Sequence, residues 1–157
     1  NNPRFIFGAS SSRAYIRQRE IMTRRSNLYR VPSFTFIWLS ATCEGPGLVV
    51  YFMGGYDGKF SGLVAGFLYQ KEFAVIFKPP MLIGRGNFGA AFYKGCIYAI
   101  GGETNEEELD NTCERLILDE DRWESIQPLP QAVSFLSVIV IEDANSLYTL
   151  GGCYEIM

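Results

Sequence analysis

A short apolar run that ends in two glycines recurs along this chain, and no other feature restricts its fold as much. Cys96 to Ile100 is followed by Gly101-Gly102, Leu48 to Met53 by Gly54-Gly55, and Leu147 to Leu150 by Gly151-Gly152. A weaker copy, RFIFGA, has Gly8 in the first place and Ala9 in the second. The first glycines stand at 8, 54, 101 and 151, at intervals of 46, 47 and 50 residues. Repetition at this period is the signature of a repeat architecture. Cys96 to Ile100 does not alternate with polar residues, so it reads as a strand covered on both faces. The glycines then mark a backbone kink with φ values that a Cβ resists.

Four strands can be read in the clearest repeat. Phe88 to Tyr93 turns at Lys94-Gly95 into Cys96 to Ile100, a polar loop from Glu103 to Asn111 leads to Thr112 to Leu118, and Asp119 to Asp121 turns into Trp123 to Ile126, closed by Pro128-Leu129-Pro130. Four short antiparallel strands per period of about 50 residues make one propeller blade. In the preceding repeat the strands are Thr35 to Cys43, Leu48 to Met53, Val64 to Tyr69 and Phe73 to Phe77, with closure at Pro79-Pro80. In the first repeat Glu20 to Met22 is a third strand, Ser26-Asn27 its turn and Tyr29 part of the fourth. At the far end Val133 to Ile141 and Ser146 to Leu150 form one more hairpin.

These residues resemble a kelch-repeat β-propeller. The resemblance rests on the diglycines, on Asn111-Thr112-Cys113-Glu114-Arg115 entering the third strand, and on Trp123 in the fourth. The family's Tyr seven positions before the Trp is replaced here by Leu116. In the weaker repeats the same two places fall on Met22 and Tyr29 and on Leu68 and Val75. The expected fold is all-β, about half of a kelch ring, with blade parts over 1–32, 33–81, 82–130 and 131–157. Gly8, Gly54, Gly55, Gly101, Gly102, Trp123, Gly151 and Gly152 are its structural motif residues. Half a ring leaves edges and apolar faces uncovered. The chain is therefore expected either to continue on both sides or to take the rest from another subunit, the first being preferred because it lacks an initial Met and stops in mid-blade.

Composition narrows the function classes. With 48% hydrophobic and 15% aromatic residues the chain can bury a core, and its longest apolar stretches, such as Val138 to Ile141, are far too short to span a bilayer. Residues 1–30 hold seven arginines and one acid, Glu20, whereas 31–157 hold seven basic and sixteen acidic residues. An organellar transit segment competes for that basic start, but the repeat accounts for the same residues and a cytoplasmic protein is expected. The acidic body argues against nucleic acid. There is no histidine, which removes His triads and most transition-metal sites, so neither cofactor nor metal is expected. Cys43, Cys96, Cys113 and Cys153 show no C-x-x-C spacing and read as reduced thiols.

Candidate partner-binding residues lie after the diglycines and between blades. Tyr56, Asp57 and Lys59 follow the second diglycine, where Asp57-Gly58 is also a turn signal. Glu103, Asn105, Glu106 and Glu107 belong to an acidic loop that suits a basic partner segment or a solvated surface. The matching loop of the first repeat is basic and contributes Arg13 and Arg17. Gly84-Arg85-Gly86-Asn87-Phe88-Gly89 is a literal G-x-G-x-x-G, yet a strand follows it rather than a helix, so it reads as a connection between blades. The resemblance implies that Arg85, with Asn87 nearby, stands on the binding face; the competing reading has Arg85 bonded to carbonyls inside the ring. The expected function is a non-enzymatic module that binds a protein partner as a scaffold or substrate-recognition element. The alternatives are a structural subunit of a large assembly and a kelch-like enzyme whose catalytic residues lie elsewhere in the ring.

Overall fold

In a computed structural model of the chain, residues 21–22, 28–29, 41–46, 49–56, 58–69, 73–106 and 109–154 are described. All their regular elements are β-strands. β1 (Ile21–Met22) and β2 (Leu28–Tyr29) form one two-stranded sheet. β3 (Ala41–Glu44), β4 (Val49–Met53), β5 (Val64–Tyr69) and β6 (Phe73–Lys78) follow one another across a second sheet. The third contains β7 (Arg85–Gly86), β8 (Gly89–Tyr93), β9 (Cys96–Thr104), β10 (Asp110–Ile117) and β11 (Arg122–Ile126). β12 (Ser137–Ile141) and β13 (Ser146–Leu150) form the last. Every pairing is antiparallel, and this all-β arrangement agrees with a partial kelch propeller.

The third sheet is covered on both faces, as its unalternating sequence requires. On one side Ile97, Ala99, Leu116 and Trp123 pack with Cys43, Val49, Tyr51, Met53 and Val64 of the second sheet. On the other, Ile100 and Cys113 pack with Leu136, Val133 and Val138 at the start of the last hairpin. Trp123 lies in the first of these layers, and its indole Nε1–H donates to the Pro79 carbonyl at 2.8 Å. One side chain thus joins the third sheet to the prolines that close the second.

The diglycines take positive φ in all three described copies: 69° and 121° at Gly54 and Gly55, 61° and 101° at Gly101 and Gly102, 67° and 101° at Gly151 and Gly152. Space imposes the same choice. A Cβ on Gly54 would stand 2.5 Å from both the Arg85 carbonyl oxygen and the Phe88 ring, and one on Gly102 2.4 Å from the Gly86 carbonyl oxygen. The kinked backbone packs directly on the chain that enters the next sheet, with Gly55 N–H donating to Arg85 O and Gly102 N–H to Val133 O.

Several expectations from sequence need correction. β9 does not stop at Ile100 but runs through the diglycine to Thr104, where it pairs with β7, and β10 carries a bulge between Asp110 and Cys113 opposite the diglycine. Residues 133–136 are a crossing segment rather than strand, because their backbone bonds to Asp110, Cys153 and Asn87. Leu116 pairs with Trp123 and with Ile97, four residues before Gly101. In the second sheet Val50, four before Gly54, pairs with Phe67, which pairs with Val75. Phe67, not Leu68, therefore holds the Leu116 place, and Ile21, which pairs with Tyr29, replaces Met22. The turns in these two sheets are one residue longer than in the third, which shifts the spacing from seven to eight. Gly8 and the strand expected over Arg4 to Ala9 lie outside the described residues, as does most of that expected over Thr35 to Cys43.

Trp123→Ala should destabilise the protein by about 3–5 kcal/mol. Trp123→Phe, which keeps most of the volume but loses the bond to Pro79, should cost much less. Urea unfolding of both beside exposed Lys59→Ala tests this; equal losses for Trp123→Ala and Lys59→Ala would show that Trp123 does not join the sheets.

Candidate functional site

Strand order places the loop after each diglycine and the connection between sheets at one end of the molecule. Here β7 brings Arg85 and Gly86 against Thr104 and Glu103. Asn105 reaches across to the neighbouring loop, accepting from Phe60 N–H at 2.7 Å and donating to Phe60 O at 3.0 Å. Its amide acts as a piece of strand edge and fixes two loops to each other.

Arg85 lies beneath this rim, fully buried. Its Nε donates to Glu114 Oε1 at 3.2 Å, Nη1 to the carbonyls of Gly101 at 2.7 Å and Thr112 at 3.0 Å, and Nη2 to Thr112 Oγ1 and Glu114 Oε1, each at 3.0 Å. All five N–H donors are used. Glu114, also buried, accepts from Leu82 N–H at 2.7 Å through its second oxygen. Asp110 lies 3.5 Å from Nη1 and accepts from Thr112 N–H. Of the two readings of Arg85, the structure thus favours the interior one: it offers no donor to a partner, and its place on the binding face is corrected. It holds the connection, the diglycine and the start of β10 together.

The other candidates divide by exposure. Tyr56 is 41% exposed and packs edge-on against Phe60, ring centroids 5.0 Å apart, across a Tyr56–Phe60 bridge. Lys59 and Glu106 are exposed and Glu103 is half-buried. Asn87, half-buried with φ 52°, gives its carbonyl to Phe135 N–H at 2.7 Å. Arg13, Arg17, Asp57 and Glu107 lie outside the described residues. A rim groove of about 340 Å³ runs between Leu82 and Ile83 on one side and Thr104, Asn105 and Glu106 on the other. No helix follows Gly84 to Gly89, since Gly89 opens β8; the nucleotide reading of that motif therefore falls.

Sequence reasoning missed Phe135. Its φ of 57° is left-handed, a conformation that a bulky residue adopts only when the surroundings impose it. It is nonetheless 65% exposed. Asn87 and Phe135 hold the same place in successive repeats, each two residues beyond the one whose carbonyl meets a diglycine. Asn tolerates that backbone, but nothing in the residue type of Phe135 announces it.

All four cysteines are free. Burial pushes the Cys43 thiol up to about 12 and raises that of Cys113 as well. At pH 8 a thiol reagent should modify half-buried Cys153 rapidly and the other three only as fast as the protein opens. Cys43 stays protonated in the fold while the unfolded thiol ionises near 9.0, so the native state binds more protons and stability should fall as pH rises past about 9. Four thiols reacting at one rate would contradict this.

Removing the Arg85 guanidinium leaves Glu114 and Asp110 buried without their cation. Arg85→Met should cost about 3–5 kcal/mol, and Arg85→Met with Glu114→Leu should recover part of the loss. A denaturant midpoint for Arg85→Met equal to wild type would remove the network from its structural role.

The chain is similar to known proteins over this region. The Kelch motif family profile matches residues 84–130, the stretch from Gly84 through the closing prolines. The chain is 33% identical to Kelch-like protein 40 of Xenopus laevis over 105 residues, 66% of the chain and 17% of that protein. It is 36% identical to human Kelch repeat and BTB domain-containing protein 2 over 78 residues, 49% of the chain and 12% of that protein. With the cowpox virus (strain GRI-90 / Grishak) protein of the same name it shares 34% over 74 residues, 47% of the chain and 13% of that protein. The chain spans less than a fifth of these relatives' length. The matched repeat, the positive-φ diglycines and the buried Trp123 between two sheets support a kelch-repeat family, and the all-β arrangement of the described residues is consistent with part of a kelch-type β-propeller.

Proposed function

We propose that this chain is a protein-binding module that performs no catalytic step, holding a protein partner on the rim formed by its diglycine loops and sheet connections. The observation that carries this reading is the contrast across the rim. Beneath it every Arg85 donor is satisfied inside the fold, whereas above it Tyr56, Lys59, Glu106 and Phe135 stand in solvent on backbone fixed by Asn105 and the Asn87–Phe135 bond. Aromatic side chains held in place before binding lose little freedom on association, and rim charges select partners and speed encounter. The kelch-repeat relatives support an interaction role. A scaffold or substrate-recognition role in the cytoplasm is the specific form we infer, with Arg13, Arg17, Asp57 and Glu107 extending the charged rim. A structural place in a larger assembly is the second reading, favoured by the exposed Ile139, Ile141, Tyr148 and Leu150 of the last hairpin.

Phe135→Gly tests the proposal because glycine accepts the left-handed backbone without strain. It should leave the melting temperature unchanged or raised, yet weaken partner binding about 30-fold, as loss of an aromatic hot spot does. Tyr56→Ala with Glu106→Lys should act in the same direction. Proximity labelling in cells, followed by affinity measurement on the recovered partner, provides the readout. A partner set and affinities unchanged by all three substitutions would overturn the rim assignment.

A further inference from the structure

The rim groove has two unlike walls. Leu82 and Ile83 form an apolar one, and Thr104, Asn105 and Glu106 a polar one, around about 340 Å³ of space. Phe60 joins the two walls. Its backbone exchanges two hydrogen bonds with the Asn105 amide, and its carbonyl oxygen lies so close to Gly84 that a Cβ there would collide with it. The width of the groove is therefore set before anything enters it, which lowers the cost of binding.

At the bottom of the groove lies Asp110, 5% exposed. Its carboxylate accepts from the Thr112 N–H at 2.9 Å and from the Thr112 hydroxyl, two of the roughly four bonds that a carboxylate can take. The five donors of Arg85 go to Glu114, Thr112 and the Gly101 carbonyl, which leaves the guanidinium 3.5 Å from Asp110 in an ion pair without a hydrogen bond. One guanidinium thus serves two buried carboxylates, and the excess negative charge falls on the one that lines the groove. The sequence adds to it, with five acids and no basic residue from Glu103 to Asp110.

We propose that this groove takes an arginine side chain of the protein partner, its guanidinium bonded to Asp110 and Glu106 and its methylene stem laid along Leu82 and Ile83. The inference rests on the rim reading above and gives that reading a chemistry. Arginine suits both walls, because it carries an apolar stem and ends in a planar fork of donors that meets carboxylate oxygens two at a time. A carboxylate in the same place would bury a further negative charge against Asp110. An ion pair made at the buried end of the groove is also stronger than one made on open surface.

Peptides selected from a random display library on the purified protein should carry arginine at one recurrent position. Replacing that arginine with citrulline, which keeps the stem and shape but loses the charge, should weaken binding at least about tenfold. Asp110→Asn should weaken the arginine peptide by a similar factor and leave the citrulline peptide unchanged, because the two changes remove the same ion pair. Its melting temperature should equal or exceed that of wild type, since Thr112 keeps an acceptor and Glu114 keeps Arg85. If Asp110→Asn does not fold, Glu106→Gln at the exposed end of the groove carries the same comparison. Peptides without arginine, or none at all, overturn the proposal, as does a citrulline peptide that binds as tightly as its parent. A lowered melting temperature for Asp110→Asn with equal losses for both peptides marks Asp110 as purely structural and overturns it too. The rim reading survives these results if Phe135→Gly still weakens partner binding; peptides that bind wild type, Phe135→Gly, Tyr56→Ala and Asp110→Asn alike would remove both.

Discussion

The described sheets depend on one buried guanidinium. Arg85 sits where chain leaving the second sheet enters the third, and its five donors reach the Gly101 carbonyl, both acceptors of Thr112, and Glu114. Placing a cation there is costly unless its hydrogen bonds are complete. Glu114 completes them and also receives the Leu82 amide, so one carboxylate ties the connection to β10. The Gly101 carbonyl at the diglycine kink and the carbonyl and hydroxyl of Thr112 provide the rest. The polar network explains how the chain at Arg85 can lie so close to the kink of Gly54 and Gly55.

Around this centre the apolar layers follow a simple geometric rule. Opposite faces of a strand receive alternate residues, so Ile97 and Ala99 face the second sheet while Ile100 faces the last hairpin. Both faces of the third sheet are buried, which is why its sequence lacks alternation. Cys43 and Cys113 belong to the same layers and serve as small apolar groups whose thiols burial keeps protonated. Surface ion pairs such as Lys78 with Asp121 link neighbouring sheets at their outer edges but contribute little beside that burial.

The candidate site is built on rigid parts. Asn105 imitates a strand edge toward Phe60, and the Asn87 carbonyl holds Phe135, so the exposed aromatics of the rim stand on fixed backbone. Sequence made Tyr56, Lys59 and Glu106 visible as loop residues, because polarity and turn signals are local properties, but it also read Glu103 as loop, where β9 runs on to Thr104. It left two readings of Arg85, since an arginine between glycines looks alike in solvent and in a saturated interior. It missed Phe135, whose meaning comes from a backbone angle set by the packing of two repeats.

Sequence alone determined the period, the diglycine kinks, the order of four strands in the third sheet and the burial of Trp123. Each follows from local chemistry: glycine permits positive φ, apolar runs seek cover, and prolines close strands. Tertiary structure decided which residues face one another. A turn one residue longer put Phe67 rather than Leu68 beside Val75 and Ile21 rather than Met22 beside Tyr29, because a register shift of one exchanges the faces of a whole strand. It also decided that Arg85 belongs inside and Phe135 outside. Burial depends on neighbours distant in sequence, and for both residues those neighbours come together only when one repeat packs on the next.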